Sequence, residues 1–301
     1  MIGWNKLLCI VFVLSPAAAG AGNDTGTGAG IGVVYMHGRG GQPGGGNSRT
    51  LISAMESYGV TVVSPTMPWS GRRGVADYTG TMEDAMKILK IENARLRRAG
   101  VATIVVGGMS VGGNSALAYG AHVGGVDGIM VIAPGEAVEV ITRRVEDMAP
   151  EEHARIEALP PERRETVRRR RQSNYDQLIR ARCLIAAGRG QEITSFVIAN
   201  MDDQGRYTYV IHTTLEIYSS YNDLKGLRAM SLSAARLAPM PLLWINDNQG
   251  IVRRLGRRYG FDQATHHPKS RYVELNVKYR QTPHVARALV KSWLLSLRNG
   301  N

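Results

Sequence analysis

Runs of β-branched and aliphatic residues recur along the first half of the chain. Each ends in a glycine- or proline-rich break and leads into a stretch with helical spacing. Ile31 to Tyr35 is the first run, closed by Met36-His37-Gly38-Arg39-Gly40-Gly41, and Thr50 to Tyr58 then reads as a helix. Val60 to Ser64 is the next, closed by Pro65-Thr66-Met67-Pro68-Trp69. Met82 to Arg98 carries Ala85, Ile88, Leu89 and Leu96 at the spacing of one helical face. A further run from Val101 passes through Gly107-Gly108-Met109-Ser110-Val111-Gly112-Gly113 into a helix-compatible segment, and Gly128 to Ala133 follows as another strand. Strands alternating with helices predict βαβ units and a doubly wound, mostly parallel α/β sheet.

The alternation stops between Glu136 and Ala238. Charged helical stretches from Pro150 to Cys183 give way to Phe196–Asn200 and Tyr207–Thr213 around Asp202-Asp203-Gln204-Gly205, the pattern of a hairpin. This segment is too long for a connection, so residues from about 136 to 238 are expected to form an inserted helical and hairpin lid. Leu242–Asn246 and Arg271–Val277 then resume the strand pattern. Thr282 as N-cap and Pro283 at the first helical position open a terminal helix. Its buried side is expected to carry Ala286, Leu289, Val290, Trp293 and Leu297.

Composition bounds the picture. A chain of 301 residues with 44% hydrophobic and 21% charged positions suits a globular protein. Lys6, the apolar stretch Leu7–Leu14 and Ala17-Ala18-Ala19 form the pattern of a secretory signal peptide over residues 1–19. A flexible lead-in over 20–30 and one domain over 31–301 would follow, in the periplasm or outside the cell. Processing would leave Cys183 as the lone cysteine, so no intrachain disulfide can form. Its neighbours Leu178, Ile179, Leu184 and Ile185 predict a buried structural thiol.

The net charge of +12 is concentrated in the last third, and the pI is near 9.9. Such a balance allows nucleic-acid or anionic-surface binding. Aromatic residues are not interleaved with the basic runs as a base-stacking platform requires. Weak adhesion to anionic envelope surfaces is therefore expected, without specific nucleic-acid recognition. Arg168-Arg169-Arg170-Arg171, close to Glu162 and Glu165, reads as a solvated helix face. His266-His267 lacks the spaced partners of a zinc site, and no motif asks for a cofactor. Trp69 fits either the pocket mouth or the core.

Gly108-Met109-Ser110-Val111-Gly112 is Gly-x-Ser-x-Gly between a strand and a helix. A serine on a strained strand-to-helix turn needs neighbours without side chains, here Gly108 and Gly112, so that the turn closes and Oγ stands clear. The following helix aims its first amides at the same point, where they stabilise a developing oxyanion. The glycine-rich loop at 38–41 could instead cradle a phosphate. It lacks the Lys-Ser/Thr of a P-loop, and Pro43 interrupts a dinucleotide-type glycine register.

Together these features resemble the α/β-hydrolase superfamily from about Gly32 to Leu297. The resemblance implies a serine hydrolase that cleaves a carboxylic ester, or an amide, of a small molecule through an acyl-enzyme on Ser110. Amides of Val111 and of Arg39 or Gly40 would form the oxyanion hole. The chain order Ser110, Asp247, His284 follows the superfamily's order of nucleophile, acid and base.

Two positions depart from the superfamily pattern. Gly250 stands where the acid is usually found, so Asp247 is taken as the acid. Tyr279 stands where the histidine is usually found, and His284 at the start of the terminal helix is the nearest histidine. His284 is expected to be the base, provided the loop from Lys278 to Gln281 folds back. The alternative is a catalytically impaired hydrolase fold used for binding, with Tyr279 facing Ser110.

Overall fold

The computed structural model describes residues 30–71, 78–135, 137–200, 207–247 and 257–298. The expected signal peptide, the lead-in up to residue 29, the hairpin turn at 202–205 and Gly250 lie outside the described residues. The strands are β1 (Ile31–Met36), β2 (Thr61–Val63), β3 (Thr103–Ser110), β4 (Gly128–Pro134), β5 (Ile193–Asn200), β6 (Tyr207–Thr214), β7 (Leu242–Asn246) and β8 (Arg271–Glu274). Six of them form a wholly parallel sheet in the order β2-β1-β3-β4-β7-β8. The doubly wound α/β sheet expected from the sequence is thus present.

Every position of β1 and β7 is buried. Strands covered by helices on both faces read as continuous apolar runs, which is why these segments show no alternation in the sequence. Val34, Met36, Ile104, Val106 and Val131 face one layer, built from α2 (Met82–Arg98) and α3 (Val111–His122). Val33, Tyr35, Val105, Met130 and Ile132 face the other, where α1 (Gly46–Ser57) supplies Leu51, Ile52 and Met55. Helix α2 starts where the sequence places it because Thr81 and Asp84 form a reciprocal capping box, with N–O distances of 3.2 and 3.0 Å.

The insert contains α4 (Val138–Ile141), α5 (Pro150–Glu157), α6 (Pro161–Ala186), the antiparallel β5–β6 hairpin, α7 (Leu215–Asn222) and α8 (Met230–Arg236). Phe196, Ile211, Tyr218, Tyr221, Met230 and Ala234 share one core with α2 and α3, so the insert is packed onto the sheet layer. The arginine run of α6 is not wholly solvated. Arg171 is buried and donates to the buried Glu152 at 3.2 Å, tying α6 to α5. Cys183 is exposed rather than buried, because Leu178 and Ala181 occupy the inward side of α6.

At the C-terminus β8 ends at Glu274, short of the expected Val277. A 3-10 turn (Tyr279–Gln281) runs into α9 (Thr282–Val285) and then α10 (Arg287–Arg298). Gln281 takes the N-cap position, so Thr282 lies inside the helix. Ala286, Val290, Trp293, Leu294 and Leu297 are buried against the α1 side of the sheet, while Leu289 is only partly covered.

Candidate active site

The turn from β3 into α3 places Ser110. Its φ of 57° and ψ of −127° lie in a region that side chains other than glycine rarely adopt. The surroundings leave room for backbone alone. A Cβ on Gly108 would lie 2.6 Å from the Gly112 carbonyl carbon, and one on Gly112 would lie 2.6 Å from the Met36 oxygen. The α3 amide of Val111 donates to no described group and opens beside Ser110.

Two further glycines wall the serine. A Cβ on Gly38 would come within 3.2 Å of both the Ser110 Cβ and the Tyr279 hydroxyl, and one on Gly135 within 3.4 Å of Ser110 Oγ. Asn114 on α3 holds Gly135 there, its Oδ1 accepting from the Gly135 amide at 2.9 Å. Neither Gly135 nor Asn114 is singled out by the sequence. The available signal was a glycine immediately after the strand next to the elbow strand.

The loop after β1 is fixed by residues 67–71. His37 is 2% exposed. Its Nδ1 donates to the Gly38 carbonyl at 2.7 Å, so Nε2 accepts from the Ser70 hydroxyl at 2.7 Å. Both ring nitrogens are engaged, and burial holds the imidazole's pKa below its usual value. His37 is therefore a neutral structural group. Trp69 is fully buried and donates from Nε1 to the His37 carbonyl at 3.0 Å, which places it in the core rather than at a pocket mouth.

The Gly40 amide donates to the Trp69 carbonyl at 3.0 Å. Gly40 is thereby removed as an oxyanion donor, leaving Arg39 of the two candidates beside Val111. The Arg39 guanidinium lies over the Tyr78 ring at 5.8 Å.

On the opposite side of Ser110 the structure brings in a phenol, not an imidazole. The Tyr279 hydroxyl hydrogen-bonds with Ser110. His284 is exposed, with its Nε2 3.1 Å from Arg287 Nη2 and its carbonyl accepting from Arg287 Nε at 2.9 Å. The expectation that His284 reaches Ser110 is corrected here, and the reason is helical geometry. The chain winds continuously from Tyr279 into α9. Five residues of winding, at about 120° each in the 3-10 turn and about 100° each in the helix, turn a side chain to roughly the opposite side. With Tyr279 inward, His284 must point outward.

Burial raises the Tyr279 pKa above its ordinary value, and the Asp247 charge raises it further. The bond with Ser110 and the nearby Arg39 act in the opposite direction. Asp247 is buried immediately after β7, close enough to Tyr279 for its charge to be felt there.

No protein-family profile and no curated protein sequence matches the chain. Solved structures do. One, from work on the metagenome-derived lipolytic enzymes LipS and LipT, has a TM-score of 0.55 at 16% identity over 91% of this chain and 96% of its own. The monoacylglycerol lipase of Paleococcus ferrophilus has a TM-score of 0.56 at 16% identity over 88% and 94%. The proline iminopeptidase of Mycobacterium smegmatis has a TM-score of 0.51 at 13% identity over 89% and 90%. The chain has the α/β-hydrolase fold.

Within this α/β-hydrolase fold, Ser110, Tyr279 and Asp247 form a series in which a phenol stands where the resemblance called for an imidazole. A cleft of about 440 Å³ opens beside the series, between the loop after β1, the start of α1 and Tyr279. The arrangement can present a hydroxyl to a carbonyl group and donate hydrogen bonds to the carbonyl oxygen. Among the described residues, no imidazole hydrogen-bonds with Ser110.

Proposed function

We propose that this is an exported α/β-hydrolase-fold protein that binds an ester, or a related carbonyl compound, at Ser110 without turning it over at the rate of a serine hydrolase. The observation that carries this reading is the Tyr279 phenol hydrogen-bonded to Ser110. Nucleophilic attack by serine needs a partner that takes its proton. An ordinary phenol has a pKa of about 10, and this one is pushed higher, so it stays protonated at neutral pH. In a serine triad the loss of the base alone costs on the order of 10⁶ in rate. Asp247 reinforces the effect, since a carboxylate beside a phenol favours its neutral form. The ligand's carbonyl oxygen would rest on the amides of Val111 and Arg39.

The strained elbow favours a second reading, an ester-cleaving hydrolase that passes through an acyl-enzyme on Ser110, because such strain persists where it serves chemistry. One experiment separates the two. Wild type, Ser110→Ala, Tyr279→His and the double variant are assayed with an activated ester and labelled with a fluorophosphonate probe. Wild-type turnover is expected within about tenfold of Ser110→Ala, and Tyr279→His is expected to raise it about 10²-fold or more through Ser110. Fast wild-type turnover that Ser110→Ala abolishes would overturn the binding reading.

Export rests on the pattern of residues 1–19, and N-terminal sequencing of the mature protein is expected to begin near Gly20. The basic last third would add weak adhesion to anionic surfaces of the envelope.

A further inference from the structure

Next to Arg39 two phenols carry hydroxyls that no group of the protein satisfies. Tyr78 is 4% exposed and Tyr221 0%, and neither hydroxyl has a hydrogen-bond partner. Their rings stack with centroids 4.1 Å apart, and the Arg39 guanidinium lies over the Tyr78 ring at 5.8 Å. We infer that Arg39, Tyr78 and Tyr221 form a subsite for an oxyanion of the ligand, a carboxylate or a phosphate, whose carbonyl end lies at Ser110. This rests on the reading of Ser110 as the ligand site.

Three distant segments build the subsite. Arg39 follows Gly38, which touches Ser110, and it lines the cleft together with Gly38 and Tyr279. Tyr78 precedes α2, and its carbonyl accepts from the Thr213 hydroxyl of β6 at 3.0 Å. Tyr221 belongs to α7 of the insert and meets Trp69 edge-on at 6.3 Å. The charge of Arg39 is felt both at the Tyr279 hydroxyl, which bonds with Ser110, and at the Tyr221 hydroxyl. The serine and the phenol pair therefore share one guanidinium, and a single small ligand can reach both.

The chemistry of the donors selects the guest. A buried hydroxyl without a partner carries a desolvation cost that a bound acceptor removes. Burial raises the Tyr221 pKa and the neighbouring Tyr78 adds to it, so this phenol stays protonated and can donate. Among the charged side chains that act on it, Arg228 and Arg39 each outweigh Asp84. Arg228 is itself buried and donates from Nη1 to the Tyr221 carbonyl at 3.2 Å. Hydroxyl donors in positive surroundings favour an oxyanion over a neutral acceptor, and a guanidinium fork matches carboxylate and phosphate oxygens. A cleft of about 440 Å³ suits a small organic acid ester.

The test is calorimetric titration of the full chain with monomethyl succinate, the methyl ester of phosphonopropionic acid and uncharged dimethyl succinate. At least one anionic ester is expected to bind about tenfold or more tightly than the diester, and the tighter of the two names the oxyanion. Arg39→Gln is expected to abolish the preference. Tyr78→Phe and Tyr221→Phe are each expected to weaken the anionic ester several-fold while leaving the thermal midpoint unchanged or raised. Each removes a buried hydroxyl that has no partner in the free protein.

Equal binding of charged and uncharged esters, no binding of any of the three, or a preference that survives Arg39→Gln would each overturn the inference. So would unaltered binding in both phenylalanine variants, or a lowered midpoint in both, which would mean that the hydroxyls serve the fold. Failure of the proposed function shows differently. Rapid Ser110-dependent turnover would overturn that reading, and the oxyanion preference would then be read in KM.

Discussion

On one side of Ser110, β3, α3 and the loop after β1 hold the serine and the neighbouring amides through backbone packing too tight for any Cβ at Gly108 or Gly112. On the other side, a 3-10 turn delivers one side chain, Tyr279, whose identity decides whether the serine can lose its proton. The first half can change only with the whole turn. The second can change by one residue without disturbing the sheet. On the proposed reading, the fold keeps the elbow geometry of serine chemistry while the step that needs a base is lost. The elbow alone is evidence of a carbonyl-binding geometry and not of turnover.

The largest effect should come from breaking the rigid half. In Gly112→Ala the new methyl group would meet the Met36 oxygen at 2.6 Å. The variant is expected to lose about 3 kcal/mol of stability, read by denaturant or thermal unfolding. A midpoint equal to wild type would mean that the elbow is not packed as described.

The replaceable half is sharpened by adding His284→Ala to Tyr279→His. The approximately 10²-fold gain expected of the single variant should survive intact, because His284 faces Arg287 and solvent. Loss of the gain would place His284 in the site after all. By itself, Tyr279→Phe removes one hydrogen bond to Ser110 and should cost about 1 kcal/mol, with no rise in turnover.

A pH effect distinguishes the rigid half by its buried imidazole. The folded pKa of His37 is held below its usual value by burial. The unfolded chain thus takes up the proton first as the pH falls through about 6.5, and stability present above that pH declines toward the folded pKa. Unfolding midpoints between pH 7.5 and 5 should show this decline, and His37→Gln should flatten it. His122 contributes with the same sign, since its pKa is also lowered by burial. The smallest effect is expected from His284→Ala alone, within about 0.5 kcal/mol of wild type, as for an exposed substitution.

The legible parts of the molecule are the local ones. The helix over Met82–Arg98, the Gly-x-Ser-x-Gly turn and the apolar strand runs of the first half are set by residues close in sequence, and each appears where the pattern places it. Glycine-based readings went further at Gly108 and Gly112 than at Gly40, whose amide is taken by Trp69. Cys183 is exposed rather than buried because helical spacing leaves the direction of the inward face open until α6 meets its neighbours.

The sequence by itself determined the parallel α/β sheet and a serine on a strained turn, because strand periodicity and glycine's missing side chain act over a few residues. It also supplied both candidates for the position opposite that serine, Tyr279 and His284. Only the tertiary structure decided between them. That choice depends on how the 3-10 turn after β8 docks against β3, and once Tyr279 faces the elbow the pitch of the helix sends His284 to solvent. The walls at Gly38 and Gly135 and the commitment of His37 to Ser70 belong to the same category. Each joins segments distant in the chain, and only packing brings them within reach.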